Sequence, residues 1–123
     1  MKRLALLALL LTAACKQQDA ALSITITGAF RIPADADKLS MDVLDSSTVI
    51  LHKDWCVSGC ADALPRQPGG LNQTVTLVES GSSHPHVKIN LTLYQVAIVA
   101  GQGTATADFQ DGATVPVSIT IAR

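Results

Sequence analysis

From Leu22 onward, apolar and polar residues alternate with a period of two, interrupted at intervals by Gly, Pro, Asp and Ser. Leu22, Ile24 and Ile26 alternate with Ser23, Thr25 and Thr27, the pattern that turns one face of a strand to a core and the other to water. Gly28 to Asp37 (GAFRIPADAD) breaks it with loop chemistry. Leu39, Met41 and Val43 alternate within Lys38 to Leu44, and Asp45-Ser46-Ser47 predicts a tight turn into a third strand, Thr48 to His52. Trp55 to Gly70 (WCVSGCADALPRQPGG) reads as the longest irregular segment, and connections of that length are commonly functional. A fourth strand is predicted over Gln73 to Val78. The clearest alternation follows, with Val87, Ile89, Leu91 and Leu93 inward and Lys88, Asn90 and Thr92 outward. Tyr94-Gln95 begins a reversal into Val96 to Phe109, which Gly101 and Gly103 would bend or bulge. Gln110-Asp111-Gly112 is a hairpin signal, and Thr114 to Ala122 closes the chain with Pro116 marking an edge strand. No stretch after the first residues shows a 3.6-residue apolar repeat. The prediction is an all-β fold, a single small antiparallel β-sandwich of about seven strands over residues 22–123.

The opening residues follow a different rule. MKRLALLALLLTAAC joins a basic start, Lys2 and Arg3, to an apolar run from Leu4 to Leu11 and a small-residue approach to Cys15. That is the pattern of an export signal, and the run is about half of the roughly 20 residues a membrane-spanning helix needs. Leu11-Thr12-Ala13-Ala14-Cys15 resembles the lipobox of bacterial lipoprotein precursors, with Thr12 where that family prefers an aliphatic residue. The resemblance implies that residues 1–14 are removed as a signal peptide and that Cys15 is lipidated, with residues 15–21 as a short tether. The implied anchor is firm, because two acyl chains already hold a protein stably on a bilayer. Lys16 stands where an inner-membrane retention signal of Gram-negative relatives has aspartate, so the resemblance implies the outer membrane.

Composition narrows the partners. Without residues 1–14, 109 residues remain, enough for one domain. With Lys2 and Arg3 gone, seven Lys and Arg stand against ten Asp and Glu, a net charge of −3. That balance and the few aromatic rings, Phe30, Trp55, Tyr94 and Phe109, argue against nucleic acid as a partner. The three cysteines become intelligible if Cys15 carries lipid, for Cys56 and Cys60 are then an even pair in an oxidising compartment, where a disulfide is expected. The succession of an opening strand, a Pro-Asp-Ala-Asp loop, a Lys-Leu strand and a closing Phe-Gln-Asp-Gly hairpin is similar to small immunoglobulin-like or transthyretin-like modules of bacterial surface lipoproteins. That resemblance implies binding, adhesion or scaffolding, with envelope proteins or glycans as partners.

Candidate chemistry is sparse. Trp55 and Arg66, in and beside the Cys56–Cys60 segment, are residue types enriched at binding hot spots and are the candidate ligand-binding residues, a glycan being one such ligand. The same indole is equally the closing core residue that sandwiches commonly carry. His84 and His86 are two apart and point to one side of a strand, so both could reach a divalent metal with His52 or an aspartate completing the site. The phase of Val87 and Ile89 instead places them toward solvent, and no metal or other cofactor is expected. Asp35, Asp37, Asp108 and Asp111 fit no calcium-loop pattern. There is no G-x-S-x-G or H-E-x-x-H, and no free cysteine beside a histidine, so no catalytic residue is nominated and the chain is expected not to be an enzyme.

Overall fold

The computed structural model describes residues 20–79 and 85–123. The export signal, Cys15 and His84 lie outside them. Eight strands form two sheets packed as a β-sandwich, and the described residues contain no helix. The strands are β1 (Ala20–Gly28), β2 (Lys38–Asp45), β3 (Thr48–Cys56), β4 (Asp62–Ala63), β5 (Leu71–Glu79), β6 (His86–Gln95), β7 (Ile98–Asp108) and β8 (Thr114–Ile121). The smaller sheet has the order β5-β1-β8 and the larger β4-β3-β2-β6-β7.

The alternating residues make the core. Leu22, Ile24 and Ile26 of β1 are fully buried, and so is Ile89 of β6; Leu39, Met41 and Val43 of β2 face the same interior. Across the larger sheet Leu39 is paired with Leu93, Met41 with Leu91 and Val43 with Ile89, so rows of matched side chains cover β1. Burying each such side chain contributes about 1.5–3 kcal/mol. Two pairings are parallel, β1 with β8 and β3 with β4. The sequence predicts an antiparallel sandwich, and these two pairings are where the strands run parallel instead; the first and last strands meet side by side, both carrying apolar residues on the inner face. Pro116 pairs with Ser23 on an outermost strand, where a missing N–H costs no ladder bond.

The register fixes which loops share an end. Ala20 lies opposite Glu79 and Ala21 opposite Thr114, whereas Gly28 lies opposite Leu71 and Ile121. In the larger sheet Lys38 is opposite Tyr94, and Gln102 of β7 meets Ala122 beyond β8. The loop 29–37, the segment 57–70 and the turn at Val96-Ala97 therefore gather at the end farthest from Ala20. At about 3.3 Å per residue, the nine residues of β1 separate the two ends by about 30 Å.

On one side the sheets nearly touch. A Cβ at Gly101 would lie 2.5 Å from Phe30 Cζ and 2.9 Å from the Ala122 carbonyl, and one at Gly103 would lie 2.9 Å from the Thr120 carbonyl. These glycines let β7 close against β8. The anticipated irregularity is present as a register shift between Leu93 and Tyr94, whose partners are Gly101 and Val99. The loop 29–37 is more than a connection, since Phe30, Ile32 and Ala36 are all buried in the core.

Candidate functional site

The far end is built around Asp37. Its backbone N–H donates to the Tyr94 carbonyl (2.8 Å), its carbonyl accepts from Val57 N–H (3.0 Å), and its carboxylate accepts from Val96 N–H (3.3 Å). One residue thus ties together the loop after β1, the segment after β3 and the β6–β7 turn. The segment is held further by the Cys56–Cys60 disulfide, by Leu64 N–H donating to the Cys56 carbonyl (2.7 Å), and by reciprocal backbone bonds between Ile32 and Gln67. Arg31 donates to the Asp35 carboxylate from its backbone and its guanidinium (2.8 and 3.1 Å), which holds the Asp35 carboxyl below its ordinary range.

Between these elements lies a cleft of about 380 Å³ lined by Pro33, Asp37, Lys38, Val57, Ser58 and Gln95, with Cys56 at its wall. Gln95 donates from Nε2 to the Ala34 carbonyl (3.2 Å), which fixes the orientation of the amide. Its Oε1 is buried without a donor among the described residues. On the other side of Pro33 a second cleft of about 250 Å³ is lined by Arg31, Ile32, Ala34, Arg66 and Pro68.

The outer face of the larger sheet carries a polar cluster. His52 lies with Nδ1 2.5 Å from Asp42 and Nε2 3.2 Å from Asp54, and Ser40 donates to Asp54 (2.5 Å). Pairing of Asp42 with His52 and of Ser40 with Asp54 across β2 and β3 creates this arrangement. The bond to Asp42, and then that to Asp54, raises the His52 pKa; the Ser40 hydroxyl is the main cause that lowers that of Asp54. Ser40 gives its proton to a carboxylate and not to the imidazole, so the trio lacks the serine-to-histidine contact of a nucleophilic triad. A depression of about 440 Å³ beside it is lined by Asp42, Asn90, Thr92, Gln102 and Thr104, a hydrogen-bonding surface in which Thr104 donates to the Ile89 carbonyl (3.0 Å).

The residues nominated from sequence are scattered. Trp55 is 7% exposed and belongs to the core, with Lys53 Nζ 5.6 Å from its ring centroid; its indole offers no open face. Arg66 is exposed at the second cleft. His86 is exposed and paired with Asp108. Asn90, which shares a row with Asp42 and His52, is four residues along β6 from His86, about 13 Å at the rise of a strand. Among the described residues, no group of three His, Cys, Asp or Glu side chains could hold a metal. Asp37 was weighed only as a calcium ligand, and the apolar β6–β7 turn was missed. Val96, where most two-residue hairpins have Asn or Gly, was the available signal.

The fold is a small two-sheet β domain whose loops converge at one end. No protein-family model and no curated protein matches the sequence. Among solved structures, the chain is similar to an alternative pilotin from the type II secretion system of Vibrio cholerae, at 16% identity and a TM-score of 0.43, covering 84% of this chain and 98% of that one. A likeness that distant carries no functional argument.

Proposed function

We propose that the chain is an exported bacterial lipoprotein, anchored in the outer membrane through lipid on Cys15, whose β-sandwich acts as a non-catalytic binding or structural module of the cell envelope. The observation that carries this reading is the pairing of Cys56 with Cys60. It leaves Cys15, directly after the small residues that end the export signal, as the remaining one of three cysteines. β1 begins at Ala20, five positions later, so the body rides close to the bilayer. Envelope proteins are favoured over glycans as partners. Trp55, the ring on which a sugar would stack, is buried, and Tyr94 is half-buried with Lys38 Nζ 5.5 Å from its centroid.

Intact-mass measurement of the chain purified from its own membrane should exceed the polypeptide mass from Cys15 by acyl chains. Cys15→Ala should move the protein from the membrane to the soluble fraction. A mass without lipid, or a Cys15→Ala variant that still fractionates with membrane, would contradict the reading.

A further inference from the structure

We propose that two copies of this chain associate through the outer edge of β5, each adding its strand antiparallel to the other about a two-fold axis at Thr76. The proposal gives the binding module a partner of its own kind, and rests on the lipoprotein reading for the anchor that brings copies together. Two bonds fix where the edge points. Ala21 N–H donates to the Ala113 carbonyl (3.0 Å), toward β8, so Leu22, Ile24 and Ile26 of β1 turn their main chain to β5, opposite Leu77, Val75 and Gln73. The even-numbered residues of β5 therefore point away from the sheet. Asn72 shows this directly, because its N–H donates to Oε1 of Gln67 (2.7 Å). A side chain there occupies the place of a neighbouring strand's carbonyl. Thr74, Thr76 and Val78 are exposed, and their main-chain groups have no such cap among the described residues.

Open edges in folded proteins are normally blunted, and the other edges here are. β8 carries Pro116, β7 is bonded to Ala122 at Gln102, and β3 shifts register between Leu51 and Val49 and is joined by β4. β5 has no such device. It runs nine residues in unbroken register with β1 and contains no Pro, Lys or Arg.

The open residues match themselves. Facing residues that both point across an antiparallel seam exchange two bonds. One register places all three open residues opposite open residues: Thr76 faces Thr76 of the second copy and Thr74 faces Val78, about six bonds in all. A register centred on Val75 would instead set Asn72, already capped by Gln67, against Val78. The inner face agrees with the Thr76 register. Val75 lies opposite Leu77 of the second copy, and both are half-buried at the margin of the core, so each covers what the other leaves exposed.

Closure about a two-fold selects a second copy as the occupant, and Thr74 to Val78 offers no charge to a charged strand. A single strand pair buries less than the roughly 1,200 Å² at which stable interfaces begin, so free chains associate weakly. Anchors that confine copies to one leaflet raise their effective concentration. Thr76 lies opposite Ser23, three residues from Ala20, which puts the two Ala20 residues about 25 Å apart. Two five-residue tethers of up to about 17 Å each reach one leaflet from there.

In the lipidated chain Cys15 is acylated and Cys56 is bonded to Cys60, so a cysteine placed on β5 is the free thiol. Oxidised with copper–phenanthroline in its own membrane, Thr76→Cys should form a disulfide-linked dimer, since such facing Cα atoms lie about 5.5 Å apart. Thr74→Cys, four residues out of register with its own copy, and Thr120→Cys on β8 should give about tenfold less, because their sulfurs cannot meet without backbone movement. Adding Thr74→Lys with Val78→Lys sets like charges opposite across the seam and should lower the Thr76→Cys dimer about tenfold. Both lysines are solvent-facing in a single chain, so the thermal midpoint should stay within about 4 °C. Intact mass reads the anchor separately. If it shows no lipid, the anchor reading fails, and the Cys15→Ala form of the same thiol variants at millimolar concentration tests the seam alone. In whichever arm applies, no Thr76→Cys dimer, equal yield from Thr74→Cys or Thr120→Cys, or a dimer indifferent to the lysines would overturn the proposal. An adduct of Thr76→Cys with a different polypeptide in place of the dimer would overturn it in favour of a partner's strand.

Discussion

Closure of β7 against β8 depends on the absence of a side chain at Gly101, and Gly101→Ala measures that dependence. The added methyl carbon would stand 2.5 Å from Phe30 Cζ, 2.9 Å from the Ala122 carbonyl oxygen and 3.0 Å from Ile121 Cγ2. Ordinary contacts begin near 3.4 Å, so the backbone of β8 must retreat by about half an ångström and the ring by nearly one. Neither is free to do so: Phe30 is 1% exposed, and the backbone of Ala122 is bonded to Gln102 (3.0 and 3.1 Å). Overpacking of this kind costs about 1–3 kcal/mol. For a domain of this size about 2 kcal/mol lowers the thermal midpoint by about 8–16 °C. Urea unfolding of the mature Cys15→Ala chain gives the free energy, and Gly69→Ala is the control. Nothing lies within 4 Å of a Cβ at Gly69, and its change should stay within about 0.5 kcal/mol. Phe30→Leu removes the ring carbon that the new methyl strikes, so the two substitutions should be coupled by about 1 kcal/mol in a double-mutant cycle. A Gly101→Ala variant as stable as wild type, or strict additivity with Phe30→Leu, would refute the close-approach argument.

Three more outcomes follow from the geometry. Ile89→Ala, at a fully buried centre of β6, should cost about 2–5 kcal/mol in urea unfolding; less than 1 kcal/mol would mean that the two sheets are not packed on it. His52 has a raised pKa from Asp42 and then Asp54, so its stabilisation is complete below the ordinary histidine value and fades as pH rises through the folded value. With the side chain 53% exposed, solvent screening limits this to about 0.5 kcal/mol, and His52→Asn should flatten the fall in stability as pH rises above the ordinary histidine value of 6.5; an unchanged slope would exclude the pair as its source. Val96 and Ala97 have φ of 50° and 67°, a left-handed conformation that favours Gly or Asn, so Val96→Asn with Ala97→Gly should raise stability by about 1 kcal/mol; a thermal midpoint at or below that of wild type would remove the strain assigned to the turn.

The central strands were legible because both their neighbours are apolar on one side. β6 reads correctly residue by residue: Val87, Ile89, Leu91 and Leu93 are buried, and the residues between them are exposed or half-buried. β3 was harder. Val49, Ile50 and Leu51 form an unbroken apolar run and all are exposed, since beyond β2 only two residues of β4 pair with this strand, at Trp55 and Cys56. The strand also continues to Cys56 through residues whose Trp-Cys composition resembled the start of a loop. Phe30 and Ile32 were hidden for the converse reason: Gly, Pro and Asp around them signal a loop, and burial of a loop that plugs the sandwich leaves no periodicity. The far-end surface was illegible because Asp37, Val57 and Gln95 are separated along the chain and meet only through the register of β2, β3 and β6. The outer-face cluster shares that origin, for Asp42 and His52 become neighbours only when β2 and β3 pair.

The parallel ladder between β1 and β8 joins groups 93 positions apart, as at Thr27 and Thr120. The first strand must therefore wait for the last before its sheet is complete. Pairing across so long a loop slows folding. The same seam fastens the start of the domain to its finish, so a chain truncated before Thr114 would lose one of the two neighbours of its first strand.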